Sequence, residues 1–283
     1  MTKIALVTDS TSDLDKETVN KYNIKVLPLR IVYKDKEYID RVNITPKEVY
    51  DNLGKEVPHT SLPSMQDMEK LFEQLEAEGY THAIIVPISS GLSGTYSTLK
   101  LVSKNYPNII TTVFDSKSLT LGAGAILIKC GELLENGKTY EEIVEALPKI
   151  RESISVFYAV DTLKYLIIGG RIGKVSGTVG ELLNIKPIIS IDSSGIYYTY
   201  TKVRGNKKAI SKLMDITKEM LISSKCRVWV MHGGAESVCE KMYEAFKLLP
   251  NITSLGMGDI SPVAGVHTGP GLLGLVIMKE LNF

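Results

Sequence analysis
One stretch limits the fold more than any other. Ile84-Ile85-Val86-Pro87-Ile88 is apolar and largely β-branched, stops at Ser89-Ser90, passes Gly91 and Gly94, and re-emerges with Leu99, Leu101 and Val102 among polar residues. That pattern reads as strand, turn, helix. Glycine lets backbone N–H groups approach a ligand, and Ser93 or Thr95 can stand at the start of the helix, where unpaired N–H donors and partial positive charge favour an anion. No Lys follows Gly94, so the turn is not a nucleotide-hydrolase phosphate loop; Gly94 directly follows Ser93, so it is not a Gly-x-Ser-x-Gly elbow. What is left is a hydroxyl-rich turn that either holds a phosphate or carboxylate or simply caps a helix.

The same alternation runs through the first half. Ile4 to Val7 reads as a strand ending in Thr8-Asp9-Ser10-Thr11-Ser12-Asp13, with Ser12 or Asp13 as the expected cap of a helix carrying Leu14, Val19 and Tyr22. Val26 to Val32 and Glu37 to Ile39 flank Lys34-Asp35-Lys36 as a hairpin, and Thr45-Pro46-Lys47-Glu48 and Ser64 with Asp67 are helix starts. Thr60 and Ser61 precede a proline-restricted turn, in a loop free to present hydroxyls. Ile109 to Phe114 is a further strand, and the helix from about Leu119 holds Gly122 and Gly124, a sign of close packing against a neighbour or an apolar ligand. Beyond Ile150-Arg151-Glu152-Ser153 come Val156 to Val160, a hairpin of Lys186 to Ile191 with Ile196 to Lys202, and a βαβ-like run from Val228 to Met257. With 283 residues the chain has room for two α/β domains: 1–152 around a mainly parallel sheet flanked by helices, and 153–283 around a mixed sheet with helices.

Composition excludes several classes. A net charge of +1 gives no support to nucleic-acid or general membrane-surface binding. The three cysteines, Cys130, Cys226 and Cys239, form no Cys-x-x-Cys pair and read as buried thiols of a reducing compartment. The first apolar segment is too short for a signal peptide, and no stretch approaches the roughly 18 apolar residues of a membrane span, so a cytoplasmic protein is expected. Two glycine-rich segments remain: Gly169-Gly170-Arg171-Ile172-Gly173, where the guanidinium is a surface cation, a carbonyl clamp or a ligand contact, and Gly265-Val266-His267-Thr268-Gly269-Pro270-Gly271, which reads as a loop carrying an imidazole.

Six segments in this order resemble the DegV family, which includes the fatty acid-binding subunits of a bacterial fatty acid kinase system. They are Thr8 to Leu14, Thr60-Ser61-Leu62-Pro63-Ser64, Ile88 to Thr95, Asp115-Ser116, Gly169 to Ile172, and His267 to Gly271. The resemblance implies two α/β domains holding a long-chain fatty acid such as palmitate in an apolar tunnel, with no cofactor, no metal and no chemistry of the protein's own. It carries the carboxylate contacts over to Thr60 and Ser93, places Arg171 and His267 at the same end of the pocket, and leaves Ser61, Gly94 and Thr95 as its wall or headgroup contacts. A separate ATP-dependent fatty acid kinase would then convert the carboxylate to an acyl phosphate for phospholipid synthesis. The chain departs from the family at Leu62, often glutamine, and at Ile168, usually basic. The cluster Lys202, Arg204, Lys207 and Lys208 reads either as a solvated helix start or as a docking patch for the kinase or the forming phosphate. Two other functions compete: a serine-dependent acyl hydrolase with Ser93 as nucleophile and His267 as base, and a binding module for a small anion such as a sugar phosphate.

Overall fold
The computed structural model describes residues 2–175 and 184–281. The first part of the chain contributes seven strands: β1 (Ile4–Asp9), β2 (Lys25–Leu27), β3 (Arg30–Val32), β4 (Glu37–Ile39), β5 (His59–Ser61), β6 (His82–Ile85) and β7 (Ile110–Val113). It also contributes the helices α1 (Lys16–Lys21), α2 (Pro46–Asn52), α3 (Met65–Ala77), α4 (Thr95–Val102), α5 (Leu121–Glu135) and α6 (Tyr140–Glu152). Strands β2-β1-β6-β7 form an all-parallel sheet, and β4-β3-β5 a small antiparallel one. Side chains alternate across β1: Ala5 and Val7 join Phe72, Leu75 and Leu99 of α3 and α4 on one face, whereas Leu6 points to the face covered by α5.

The second part supplies β8 (Ile154–Ala159), α7 (Lys164–Ile168), β9 (Ile185–Ile191), β10 (Tyr197–Arg204), α8 (Asn206–Ser223), β11 (Cys226–Gly233), α9 (Glu236–Phe246), β12 (Ile252–Asp259), α10 (Pro262–Thr268) and β13 (Leu272–Lys279). These strands make one mixed sheet in the order β10-β9-β8-β13-β11-β12. The last strand sits inside it, antiparallel to both β8 and β11. Its unbroken apolar run is what an interior strand covered on both faces requires: Leu273, Leu275 and Ile277 pack with α8 and α9, and Leu272, Val276 and Met278 pack toward α5.

Helix α5 lies against both sheets. Its first two turns, Leu121 to Leu127, are buried all round, and Cys130, Gly131 and Leu133 continue the buried face, whereas Lys129, Glu132 and Glu135 give the later turns a polar edge. Glycine makes the approach possible. A Cβ at Gly122 would stand 2.5 Å from Val156 of the mixed sheet, one at Gly124 would stand 2.6 Å from the Ser12 carbonyl oxygen, and one at Gly131 would meet the Tyr22 ring at 2.4 Å.

Three local expectations change. Pro28 has no N–H to give a sheet, so the segment 26–32 is split between β2 and β3, in different sheets, and only β3 pairs with β4 as the hairpin. The cap of α1 is Asp15, whose Oδ1 accepts from the Thr18 N–H at 2.7 Å; Ser12 and Asp13 do not cap it. Thr60 and Ser61 lie in β5, where Thr60 is in register with Ile31, because pairing with β3 orders what local sequence reads as loop. The capping boxes at Thr45 and Ser64 form as expected, and all three cysteines are buried.

Gly124→Ala should destabilise the protein by about 1–3 kcal/mol, because its methyl meets the Ser12 carbonyl oxygen as well as the Leu14 side chain, and the backbone oxygen cannot move aside cheaply. A shift of the urea midpoint with unchanged slope is the expected readout; an unchanged midpoint would mean that α5 does not need this contact.

Candidate functional site
A pocket of about 320 Å³ opens where the two parts of the chain meet. Its wall takes Thr11 from the turn after β1, Thr60 and Ser61 from β5, Ser93 from the turn after β6, Arg171 from the segment after α7, and His267 from α10. The rest is mainly apolar, including Leu29, Leu62, Ile88, Leu92 and Leu119. Leu119 and Ala264 also border an inner apolar cavity of about 20 Å³, reached between Val156, Tyr158, Met231 and Val276. Thr120, with φ at 51°, lies in that inner wall; a non-glycine residue in this conformation is held there by its surroundings.

The polar end is built from two hydroxyl pairs. Thr60 Oγ1 lies 2.8 Å from His267 Nε2, and Ser93 Oγ lies 2.8 Å from Thr95 Oγ1. Thr95 is fully buried, and its N–H also donates to Ser93 Oγ at 3.3 Å. Burial, with Arg171 and His59 nearby, pushes the His267 imidazole down to about 4, so it is neutral at physiological pH. Its Nδ1 has no partner among the described residues and packs against Gly169, where a Cβ would stand 2.1 Å away. Arg171 is a carbonyl clamp that also faces the pocket: its Nη1 donates to Gly169 O at 2.7 Å and its Nε to Leu92 O at 3.4 Å.

His267 sits in a helix, not in a loop. Ser261 caps α10, accepting from the Ala264 N–H at 3.2 Å, and Pro262 occupies its first turn. Two buried carboxylates of the first part of the chain hold that turn. Asp13 Oδ1 accepts from the Ser261 N–H at 2.8 Å, and Asp40 Oδ1 from the Val263 N–H at 3.1 Å. Arg41 donates to Asp13 Oδ1 at 3.0 Å and to Asp259 O at 2.9 Å, and Ser10 Oγ donates to Asp40 Oδ2 at 2.6 Å. Desolvation raises the Asp13 carboxyl to about 7 and the Asp40 carboxyl to about 6, against the opposing pull of these donors. Asp9, wholly buried, accepts from the Ile88 N–H at 2.7 Å and the Thr11 N–H at 2.9 Å, tying the first turn to the central one.

The structure therefore gathers Thr60, Ser61, Ser93, Arg171 and His267 around one pocket, with Thr95 behind Ser93 and Gly94 beside Leu62. Arg204 is exposed at the end of β10 and does not line it. Ser93 pairs with Thr95 and His267 with Thr60, which is not the nucleophile–base pair a serine hydrolase needs. Local sequence gave no individual signal for Leu29, Tyr197, Val263 and Ala264, which reach the wall through tertiary packing; Thr11 was visible only as one of a hydroxyl cluster. A larger cleft, about 630 Å³, lies between α2 and the ends of β11 and β12, but holds none of Thr60, Ser93, Arg171 or His267. Among the described residues no cluster suits a metal ion, and no helix is long and apolar enough to cross a membrane.

Comparison with known proteins agrees with this fold. A DegV domain-containing protein of Clostridium acetobutylicum is 63% identical over 280 residues, covering 99% of this chain and 100% of the relative. A DegV family protein of Thermus thermophilus, described for its fatty acid binding, superposes with a TM-score of 0.92 at 29% identity, covering 98% of this chain and 100% of that one. DegV of Bacillus subtilis, described as a fatty acid binding protein, gives a TM-score of 0.89 at 29% identity over 99% and 100%. The family model described as "Uncharacterised protein, DegV family" matches residues 3–280, and the chain belongs to the DegV family.

Proposed function
We propose that this protein is a carrier that binds a long-chain fatty acid such as palmitate and presents its carboxylate to a separate ATP-dependent fatty acid kinase, which forms the acyl phosphate. The observation that carries the reading is the pocket itself: hydroxyls from β5 and from the turn after β6 line one cavity whose remaining wall is mainly apolar. Residues 1–152 and 153–283 act as the two domains that enclose the ligand.

In this reading each hydroxyl is set as a donor by the group behind it. Neutral His267, carrying its proton on Nε2, donates to Thr60 Oγ1 and leaves the Thr60 proton for one carboxylate oxygen; Thr95 does the same for Ser93. Arg171 spends two of its five donors on the carbonyls of Gly169 and Leu92, which fixes the guanidinium in the pocket wall, where it contributes a favourable field to the carboxylate. A carboxylate held by neutral donors keeps more nucleophilicity toward ATP than one paired to an ammonium. Grip comes from the chain, which runs past Leu119 and Ala264 toward Met231, a flexible side chain able to repack around it. Burying some fifteen carbons at ~0.8 kcal/mol each is worth about 12 kcal/mol before ordering costs. Arg204, exposed on β10, is our candidate for kinase docking.

Protein purified from a bacterial host and analysed by native mass spectrometry should carry a long-chain acid; recovery with a polar phosphorylated metabolite instead would favour the small-anion reading. Thr60→Val and Ser93→Ala should each weaken fatty acid binding by about tenfold, the worth of one hydrogen bond to a charged group, and Ser93→Ala should slow phosphorylation by the kinase. Wild-type affinity and turnover in both variants would remove them from the headgroup site. Because the His267 pKa is lowered in the fold, the stability it confers is complete above about pH 6.5 and lost as pH falls toward about 4. A His267→Gln variant should therefore show a shallower loss of stability over that interval; parallel curves would place the titration elsewhere.

A further inference from the structure
We propose that Asp13 and Asp40 are positioning residues for the ligand pocket: two buried carboxylates from the first part of the chain fix the first turn of α10, and through it the seat of His267 opposite Thr60. The inference rests on the carrier reading only for what the pocket binds, not for the geometry.

Helix α10 is short, and two of the backbone groups at its start are bound from outside it. The Ser261 and Val263 N–H groups stand at a helix start, where intrahelical acceptors are missing, and both are taken up by carboxylates from distant sequence. Val263, Ala264 and His267 then face the pocket from successive turns of the same rod. Val263 and Val266 are further wedged among Leu29, Ile31 and Val49, so the helix has little freedom to slide unless its anchors change. His267 lies one turn beyond the Asp40 anchor, and its 2.8 Å contact with Thr60 registers any displacement of α10.

The anchors are not equivalent. Asp40 has both oxygens engaged, one by Val263 and one by Ser10, which in turn accepts from the Leu29 N–H at 3.0 Å. Asp13 uses Oδ1 for both Arg41 and Ser261, and its buried Oδ2 has no partner among the described residues. Oδ2 is therefore where a proton is accepted, and protonation removes the charge that strengthens both bonds at Oδ1. The ionisable groups acting on Asp13 are Arg41, Asp40 and, more remotely, Tyr50, with Asp259 on the far side of Arg41; those acting on Asp40 include Arg41 and Asp9. The Asp13 carboxyl, raised to about 7, changes charge in a range where His267, at about 4, does not. A proton on Asp13 thus loosens α10 and moves an imidazole that is itself not titrating.

The test is the ring resonance of His267 in the full chain, assigned by its disappearance in His267→Gln and recorded in a His59→Gln background, because His59 is the titratable neighbour on β5. We expect an inflection between pH 6 and 8, absent in Asp13→Asn. At pH 8, Asp40→Asn should shift the same resonance and weaken binding of a fluorescent long-chain fatty acid by roughly tenfold, with Lys241→Ala, an exposed position on α9, as the unaffected control. A resonance that is flat across pH 6–8 in the parent, or Asp40→Asn with parent resonance and parent affinity, overturns the proposal. The wild-type titration needs no destabilised variant. If the resonance responds as expected but the protein takes up no fatty acid, the positioning role stands and the carrier reading falls.

Discussion
The first two turns of α5, Leu121 to Leu127, are apolar and buried all round, and a helical segment with no polar face cannot lie on a surface. Burying it obliges the parallel sheet and the mixed sheet to close on it, with Gly122, Gly124 and Gly131 setting how near each can come. The crevice that remains at the carboxyl ends of β1 and β6 is bounded on its far side by α7 and α10 from the second part of the chain. Parallel sheets present their ligand sites at that end, where turns can carry polar groups without interrupting the ladder. The pocket is in this sense a by-product of how one apolar helix is satisfied.

Polar groups in that crevice are arranged economically. Asp9, Asp13 and Asp40 are buried, and each is used to fix backbone: Asp9 the central turn, Asp13 and Asp40 the start of α10. Charge is thus kept in the scaffold, whereas the groups that face the cavity are alcohols, a neutral imidazole and a guanidinium already engaged by carbonyls. Low surrounding polarity strengthens every one of these hydrogen bonds and makes a missing partner costly, which is why the network is nearly complete.

Elements defined by local pattern were readable from sequence alone. β1, β6 and β7 follow from apolar runs, the helix starts at Thr45 and Ser64 from capping boxes, and the close packing of α5 from its glycines. What failed was decided by distant partners. Thr60 and Ser61 look like loop until β3 pairs with them. His267 looks like loop because Gly265, Gly269, Pro270 and Gly271 crowd around it, although Ser261-Pro262 is a helix start in plain view. Asp13 looks like a cap because the donors it accepts from, the Ser261 N–H and the Arg41 guanidinium, lie far away in sequence. Hydroxyl clusters marked the right turns, but only the fold shows that Ser93 leans on Thr95 and Thr60 on His267.

The apolar interior around α5 draws Leu6 and Ile84 from the parallel sheet and Val156, Val276 and Met278 from the mixed sheet into one contiguous cluster. Neither half can therefore be stripped away without exposing the flank of a helix that water solvates poorly. The stability of the two halves is therefore linked through α5: a lesion that loosens one sheet from the helix uncovers apolar surface that the other half shares.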